Sequence, residues 1–96
     1  MNTFQLTCFL AVAETLSFAR AAEQLHVTQP AVTQQIKSLE KELNVKLFRR
    51  NTRTVRMTMA GSAFLEDARH IVSLSRRAVK RFEHPYAQEV QLLSLG

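Results

Sequence analysis

Ser17-Phe18-Ala19-Arg20-Ala21-Ala22-Glu23-Gln24-Leu25, then His26-Val27, then Thr28-Gln29-Pro30-Ala31-Val32-Thr33-Gln34-Gln35-Ile36 is the stretch on which the fold turns. Ser17 is a good N-cap and predicts a short helix from Phe18 to about Leu25. Ala19, Ala21 and Ala22 keep that helix slim, so another helix can approach it closely. His26-Val27 reads as a tight connection, and Thr28 as the cap of a further helix. Pro30 falls in the first turn, where a missing N–H costs nothing. Val32, Ile36, Leu39 and Leu43 form the buried stripe of this helix, and Asn44 is a plausible left-handed residue ending it. Two helices across a tight turn make a helix-turn-helix.

On the amino side, Phe4, Cys8 and Val12 recur every four residues within Phe4–Thr15 and predict a first helix. Cys8 reads as a buried small hydrophobe. On the carboxyl side, Val45–Phe48 and Thr54–Thr58 read as two short strands around the basic tip Arg49-Arg50-Asn51-Thr52-Arg53. Val55 and Met57 alternate with Thr54, Arg56 and Thr58, the period of a half-buried strand. A lone hairpin is marginal, so this one must lean on the helices. Thr58 then caps a long fourth helix reaching Glu83 or His84, where Pro85 should end or kink it. Phe64, Ala68, Ile71, Ser75, Ala78 and Phe82, flanked by Leu65, Val72 and Val79, form a wide apolar stripe along it. Glu89–Gly96 alternates weakly and reads as a strand with no partner in the chain. The expected class is mainly α: a winged helix-turn-helix, with a three-helix core plus a two-stranded β wing over residues 1–58, followed by a long dimerisation helix over 59–84.

Charge sharpens this picture. The net charge is +5 and the apparent pI about 10.2. Residues 1–27 sum to −1, residues 28–58 to +5 and residues 59–96 to +1. A basic surface confined to the central third attracts polyanions through counterion release and field steering. A major groove admits a helix whose bases are read by side chains near its amino end. Glutamine can bond adenine N6 and N7 in bidentate fashion, and a proline ring or threonine methyl can pack on a thymine methyl. Gln29, Pro30, Thr33 and Gln34 lie at the start of the third helix, off its apolar stripe. Read without a partner, the same residues are a solvated, capped helix start. Arg53 is the candidate for a narrow, A·T-rich minor groove, whose potential draws arginine. Arg20, Lys37 and Arg50, with the hydroxyls of Ser17 and Thr28, are the candidates for phosphate contacts. Arg50 could instead pair with Glu40 and brace the wing. Arg49 and Arg56 read as solubilising charges.

Enzyme chemistry finds no foothold. His26, His70 and His84 match no metal-ligand spacing. Glu66 and Asp67, adjacent on a helix, point apart. No glycine-rich phosphate loop or Gly-x-Ser-x-Gly occurs. The expectation is no catalytic residue, no metal and no cofactor. No apolar run approaches the ~18 residues of a membrane span, and Met1-Asn2-Thr3-Phe4 has no basic export region. The single cysteine fits a reducing cytoplasm. Two other readings remain open: RNA or protein binding by the winged helix, and adsorption of the basic fourth helix on an anionic membrane.

Phe9-Leu10-Ala11-Val12-Ala13-Glu14, Ser17-Phe18-Ala19-Arg20-Ala21-Ala22, Leu25-His26-Val27-Thr28-Gln29-Pro30-Ala31-Val32, Gln35-Ile36-Lys37-Ser38-Leu39-Glu40, Leu47-Phe48-Arg49-Arg50 and Thr58-Met59-Ala60-Gly61 follow one another in the order and spacing of the LysR-type transcriptional regulators, which this sequence resembles over residues 3–82. The resemblance implies a bacterial DNA-binding regulator with Gln29, Pro30, Thr33 and Gln34 entering the major groove. The stripe of the fourth helix could pack on its own domain or on the same helix of a second chain; its length favours the second, and the resemblance implies a homodimer there (Phe64, Ala68, Ile71, Val72, Ala78, Val79, Phe82). Leu92-Leu93-Ser94-Leu95-Gly96 also looks like the first strand of that family's effector-binding domain, which implies a hinge and the start of a further domain over 85–96; a tetramer and a small-molecule effector would belong to the longer protein. Leu16 and Asn44 stand where the family usually has glycine, and Gln34 where arginine is common. With no arginine among the four base-reading candidates, A·T-rich half-sites are expected. Gly61 is expected to permit close packing in the first turn of the fourth helix.

Overall fold

A computed structural model describes residues 1–83, and the expected terminal strand and the break at Pro85 lie outside them. Three helices come first: α1 (Thr3–Thr15), α2 (Phe18–Leu25) and α3 (Gln29–Leu43). A two-stranded antiparallel hairpin follows, β1 (Phe48–Arg50) and β2 (Val55–Met57), and then α4 (Met59–Glu83). Each of the first three helices starts on a side-chain cap. Asn2 Oδ1 accepts the Gln5 N–H at 2.8 Å, Ser17 Oγ that of Arg20 at 3.1 Å and Thr28 Oγ1 that of Ala31 at 3.3 Å. Each also ends on a left-handed residue: Leu16 (φ 52°), His26 (φ 58°) and Asn44 (φ 57°). Their N–H groups return to helix carbonyls, closing the turns in so few residues that α1, α2 and α3 fold straight back on one another.

The core they enclose centres on Phe9, Leu6, Leu39, Leu47, Val12 and Val32, all fully buried. Burial of each such side chain contributes ~1.5–3 kcal/mol. Four aromatic rings run through it in a chain. Phe64 meets Phe9 at 5.3 Å between centroids, Phe9 meets Phe48 at 5.5 Å, and Phe48 meets Phe18 at 6.0 Å nearly edge-on. One stack thus ties α4, α1, β1 and α2 together. Cys8 is buried on α1, and burial pushes its thiol pKa up from the ordinary value. Phe4, one turn earlier on the same periodicity, is exposed.

β2 falls inside the expected Thr54–Thr58, but β1 is shifted: it starts at Phe48, where the expected Val45–Phe48 ended, and takes in Arg49 and Arg50 of the expected tip. The peptide groups before β1 are already engaged: the Leu47 N–H donates to Glu40 Oε2 at 2.7 Å, and the Leu47 carbonyl accepts the Thr58 N–H at 3.0 Å. The ladder therefore runs only from Phe48↔Met57 through Arg49↔Arg56 to Arg50↔Val55.

Gly61 sits directly against this junction. A Cβ there would run into the Leu47 carbonyl oxygen, so close packing is what the glycine provides. Thr58 caps α4 by accepting the Gly61 N–H at 2.9 Å, and its hydroxyl donates to the Lys46 carbonyl.

The apolar stripe of α4 divides in two. Ala68 and Val72 are buried and Phe64 is half-buried within their own domain, against α1. At Ala68 and Val72 the stripe packs on its own domain and leaves almost no surface for a second copy, while Phe64 keeps part of its surface open. α4 has 25 residues against 13 in α1, so its distal half outruns its support. Ile71, Leu74, Val79 and Phe82 stay exposed, the last at 60 %. Among the described residues no helix is long and apolar enough to cross a membrane.

Candidate nucleic-acid interface

α3 turns Val32, Ile36 and Leu39 inward, and helical geometry places Gln29, Pro30, Thr33, Gln34 and Lys37 on the far side. These five line one shallow surface groove. Gln29, Pro30, Gln34 and Lys37 are exposed and Thr33 is half-buried. The Thr28 cap begins the helix just before them, so four of the five stand in its first two turns. A second groove continues from Thr33 and Lys37 to the wing, walled by Phe18 and Ile36 on one side and Lys46, Phe48, Arg49 and Arg50 on the other. The polar helix start and the basic hairpin thus share one continuous surface.

Arg53 is exposed in the hairpin turn. Its position is set by Asn51, whose Oδ1 accepts the N–H of Arg53 and of Thr54, each at 2.8 Å, and the Thr54 hydroxyl at 3.1 Å. The Asn51 N–H closes the loop on the Thr54 carbonyl at 3.0 Å. This is an Asx-type turn, and the order Asn51-Thr52-Arg53-Thr54 carried its signal. Arg20 is exposed one turn into α2, behind the Ser17 cap. Ser17 and Thr28 use their oxygens as cap acceptors, which leaves each hydroxyl its own proton to donate.

Arg50 departs from the bracing role considered for it. Glu40 spends its carboxylate on the Leu47 N–H and, at 3.4 Å, the Phe48 N–H, so it braces the wing through the backbone. The Arg50 guanidinium lies over the ring of Phe18, 4.4 Å from its centroid. The Arg50–Glu40 pair is not formed; the cation–π contact takes its place. Sequence reading missed it because Phe18 and Arg50 are remote in the chain and only the stack on Phe48 brings them together.

Arg49 and Arg56 face each other directly across the ladder, both exposed. Two like charges in that position destabilise a hairpin, which an approaching anion relieves. No charged side chain is buried among the described residues, so the basic groups remain at the surface. No three His, Cys, Asp or Glu side chains come together there as metal ligands would. The nearest acid–histidine approach is Glu66 to His70 at 3.9 Å, on the exposed side of α4, where Glu66 also pairs with Arg69 at 3.1 Å.

Capped helices around a tight turn, with a basic hairpin leaning on the second, define a winged helix-turn-helix module. Residues 4–62 match the model of the bacterial regulatory helix-turn-helix protein, lysR family, and the chain belongs to that family. It is 49 % identical over 96 residues to the HTH-type transcriptional regulator TcbR of Pseudomonas sp. (strain P51), matching all of this chain and 33 % of that protein. It is 46 % identical over the same length to the HTH-type transcriptional regulator TfdS of Cupriavidus pinatubonensis, matching 32 % of it. The chain therefore spans about a third of the length of these curated relatives. Among solved structures it is similar to the CbnR_DBD–DNA complex, with a TM-score of 0.81 and 47 % identity over 86 % of this chain and 95 % of that one. The BenM_DBD/catB site 1 DNA complex is also similar, with a TM-score of 0.80 and 35 % identity over 86 % and 93 % of the two chains.

Proposed function

We propose that this chain is the DNA-reading part of a bacterial transcriptional regulator, seating the start of α3 in a major groove and the Arg53 tip in the adjoining minor groove. One observation carries the reading: the uncharged polar start of α3 and the basic wing lie on a single surface, with no acidic side chain but Glu40 lining it and that one tied to backbone N–H groups. The two DNA-bound structures to which the chain is similar support it. Gln29, Pro30, Thr33 and Gln34 read base edges; Ser17, Arg20, Thr28, Lys37 and Arg50 hold phosphates. The chain acts as a homodimer through the part of α4 that its own domain leaves bare, Ile71, Ala78, Val79 and Phe82 with Leu74. Two reading heads then meet a two-fold related site about one DNA turn apart. Tetramer formation and a small-molecule effector belong to the rest of the longer protein. The chain contributes recognition and no catalysis, and it works in the bacterial cytoplasm, where the DNA is.

Selection of bound sequences from a random duplex pool, with footprinting of the winner, tests this reading. A two-fold related, A·T-rich motif is expected, with affinity falling steeply as salt rises. Titration of single-stranded RNA and anionic vesicles in parallel separates the alternatives. Tighter binding to either than to duplex DNA would overturn the proposal.

A further inference from the structure

We infer that Phe18 is a positioning residue for DNA binding: its ring holds the Arg50 guanidinium in the orientation in which it meets a phosphate. The inference deepens the DNA-binding reading and rests on it. Phe18 is 94 % buried, being 6 % exposed, at the first position of α2. Its ring cannot turn freely, because it is buried in an edge-type contact with Phe48, which in turn packs on Phe9. A fixed aromatic face therefore points at the groove between α3 and the wing, and Phe18, Thr33, Lys37 and Arg50 all line that groove. Arg50 comes from β1, on the same side of the strand as buried Phe48, yet is itself exposed. A ring contact uses none of the guanidinium's five N–H donors, and among the described residues no hydrogen bond or ion pair claims them. An unsupported arginine gives up much rotamer freedom when it grips a phosphate. One already laid on a ring gives up less, so its contact is stronger for the same charge. The stack also ties the wing to the first helix of the helix-turn-helix, so wing and recognition helix approach the duplex as one body.

The test is a double-mutant cycle with Phe18→Leu and Arg50→Met, titrating each purified chain into a fluorescein-labelled mixed-sequence duplex at several salt concentrations. Phe18→Leu is expected to weaken binding about fivefold with the salt slope unchanged, because Arg50 keeps its charge. Arg50→Met should weaken binding at least as much and lower the slope by about 0.9, one phosphate's worth. In the Arg50→Met background Phe18→Leu should cost nothing further, which a merely structural role for Phe18 would not produce. Phe18→Tyr, which keeps the ring face, should restore the parent's affinity. If Phe18→Leu does not fold, Arg50→Lys serves instead: charge retained, planar guanidinium over the ring lost, about fivefold weaker binding at an unchanged slope. Additive losses in the cycle, or parental affinity in Arg50→Lys, would overturn this inference while leaving the DNA reading in place. A parent chain that shows no salt-dependent duplex binding would overturn both.

Discussion

Leu16 holds a left-handed backbone conformation with nothing in its side chain to ease it, and it is 46 % exposed. An L-residue with a Cβ loses roughly 1–2 kcal/mol there, while glycine would lose about 0.5–1 kcal/mol of unfolded-chain entropy. Leu16→Gly is therefore expected to stabilise the chain by ~0.5–1 kcal/mol, seen as a rise of about 3–6 °C in Tm. An unchanged or lower Tm by scanning calorimetry would mean that the leucine packs better than its exposure suggests. Asn44 fills the corresponding turn after α3 with less strain, because asparagine tolerates positive φ. On the reading surface, Gln29→Ala should blur base choice at one position per half-site, removing ~1–3 kcal/mol of discrimination while leaving the salt slope alone. Arg53→Ala should weaken binding mainly where the flanks are A·T-rich. Binding selection repeated with both variants checks this pair, and parental sequence preference in each would refute the assignments.

The wing is the element whose stability is borrowed. Its three-residue strands carry little ladder of their own, and Arg49 opposes Arg56 across it. Three groups outside the hairpin hold it: Glu40 on the Leu47 and Phe48 N–H groups, Thr58 on the Lys46 and Leu47 carbonyls, and Gly61 beneath Leu47. Glu40→Ala leaves two partly buried N–H donors without a partner and should cost about 1–3 kcal/mol. Gly61→Ala pushes a methyl group into a backbone carbonyl that cannot swing aside, and should cost about 1–3 kcal/mol. Urea denaturation measures both. Gly61→Ala tolerated without loss would show that α4 can shift away from the wing. The starts of α2 and α3 were legible because caps are local: Ser17 and Thr28 bond N–H groups three residues ahead, whereas the Asn2 cap of α1 went unread. The strand limits were not, because they depend on Glu40 and Thr58 claiming the peptide groups of Leu47.

At the scale of the whole molecule, α4 is both a wall of its own domain and the start of a second surface. Its inner residues Ala68 and Val72 close the core on α1, and its outer residues Leu74, Val79 and Phe82 are more than half exposed. A domain this small gains from covering such a face with another copy. Val79→Asp with Phe82→Asp is expected to yield a folded monomer by sedimentation equilibrium, with far weaker binding to a two-fold site and unchanged helix content by circular dichroism. A dimer that persists in this double variant would place the interface elsewhere.

From the sequence alone came the four helices, the Ser17, Thr28, Thr58 and Asn44 caps, the basic hairpin and the polar face of α3, since each rests on periodicity or on hydrogen bonds spanning three or four residues. Tertiary structure decided which apolar residues of α4 face inward, what Glu40 holds and where the Arg50 guanidinium lies. Those outcomes follow from packing between segments far apart in the chain, where several partners satisfy the same local pattern and only the assembled core selects one.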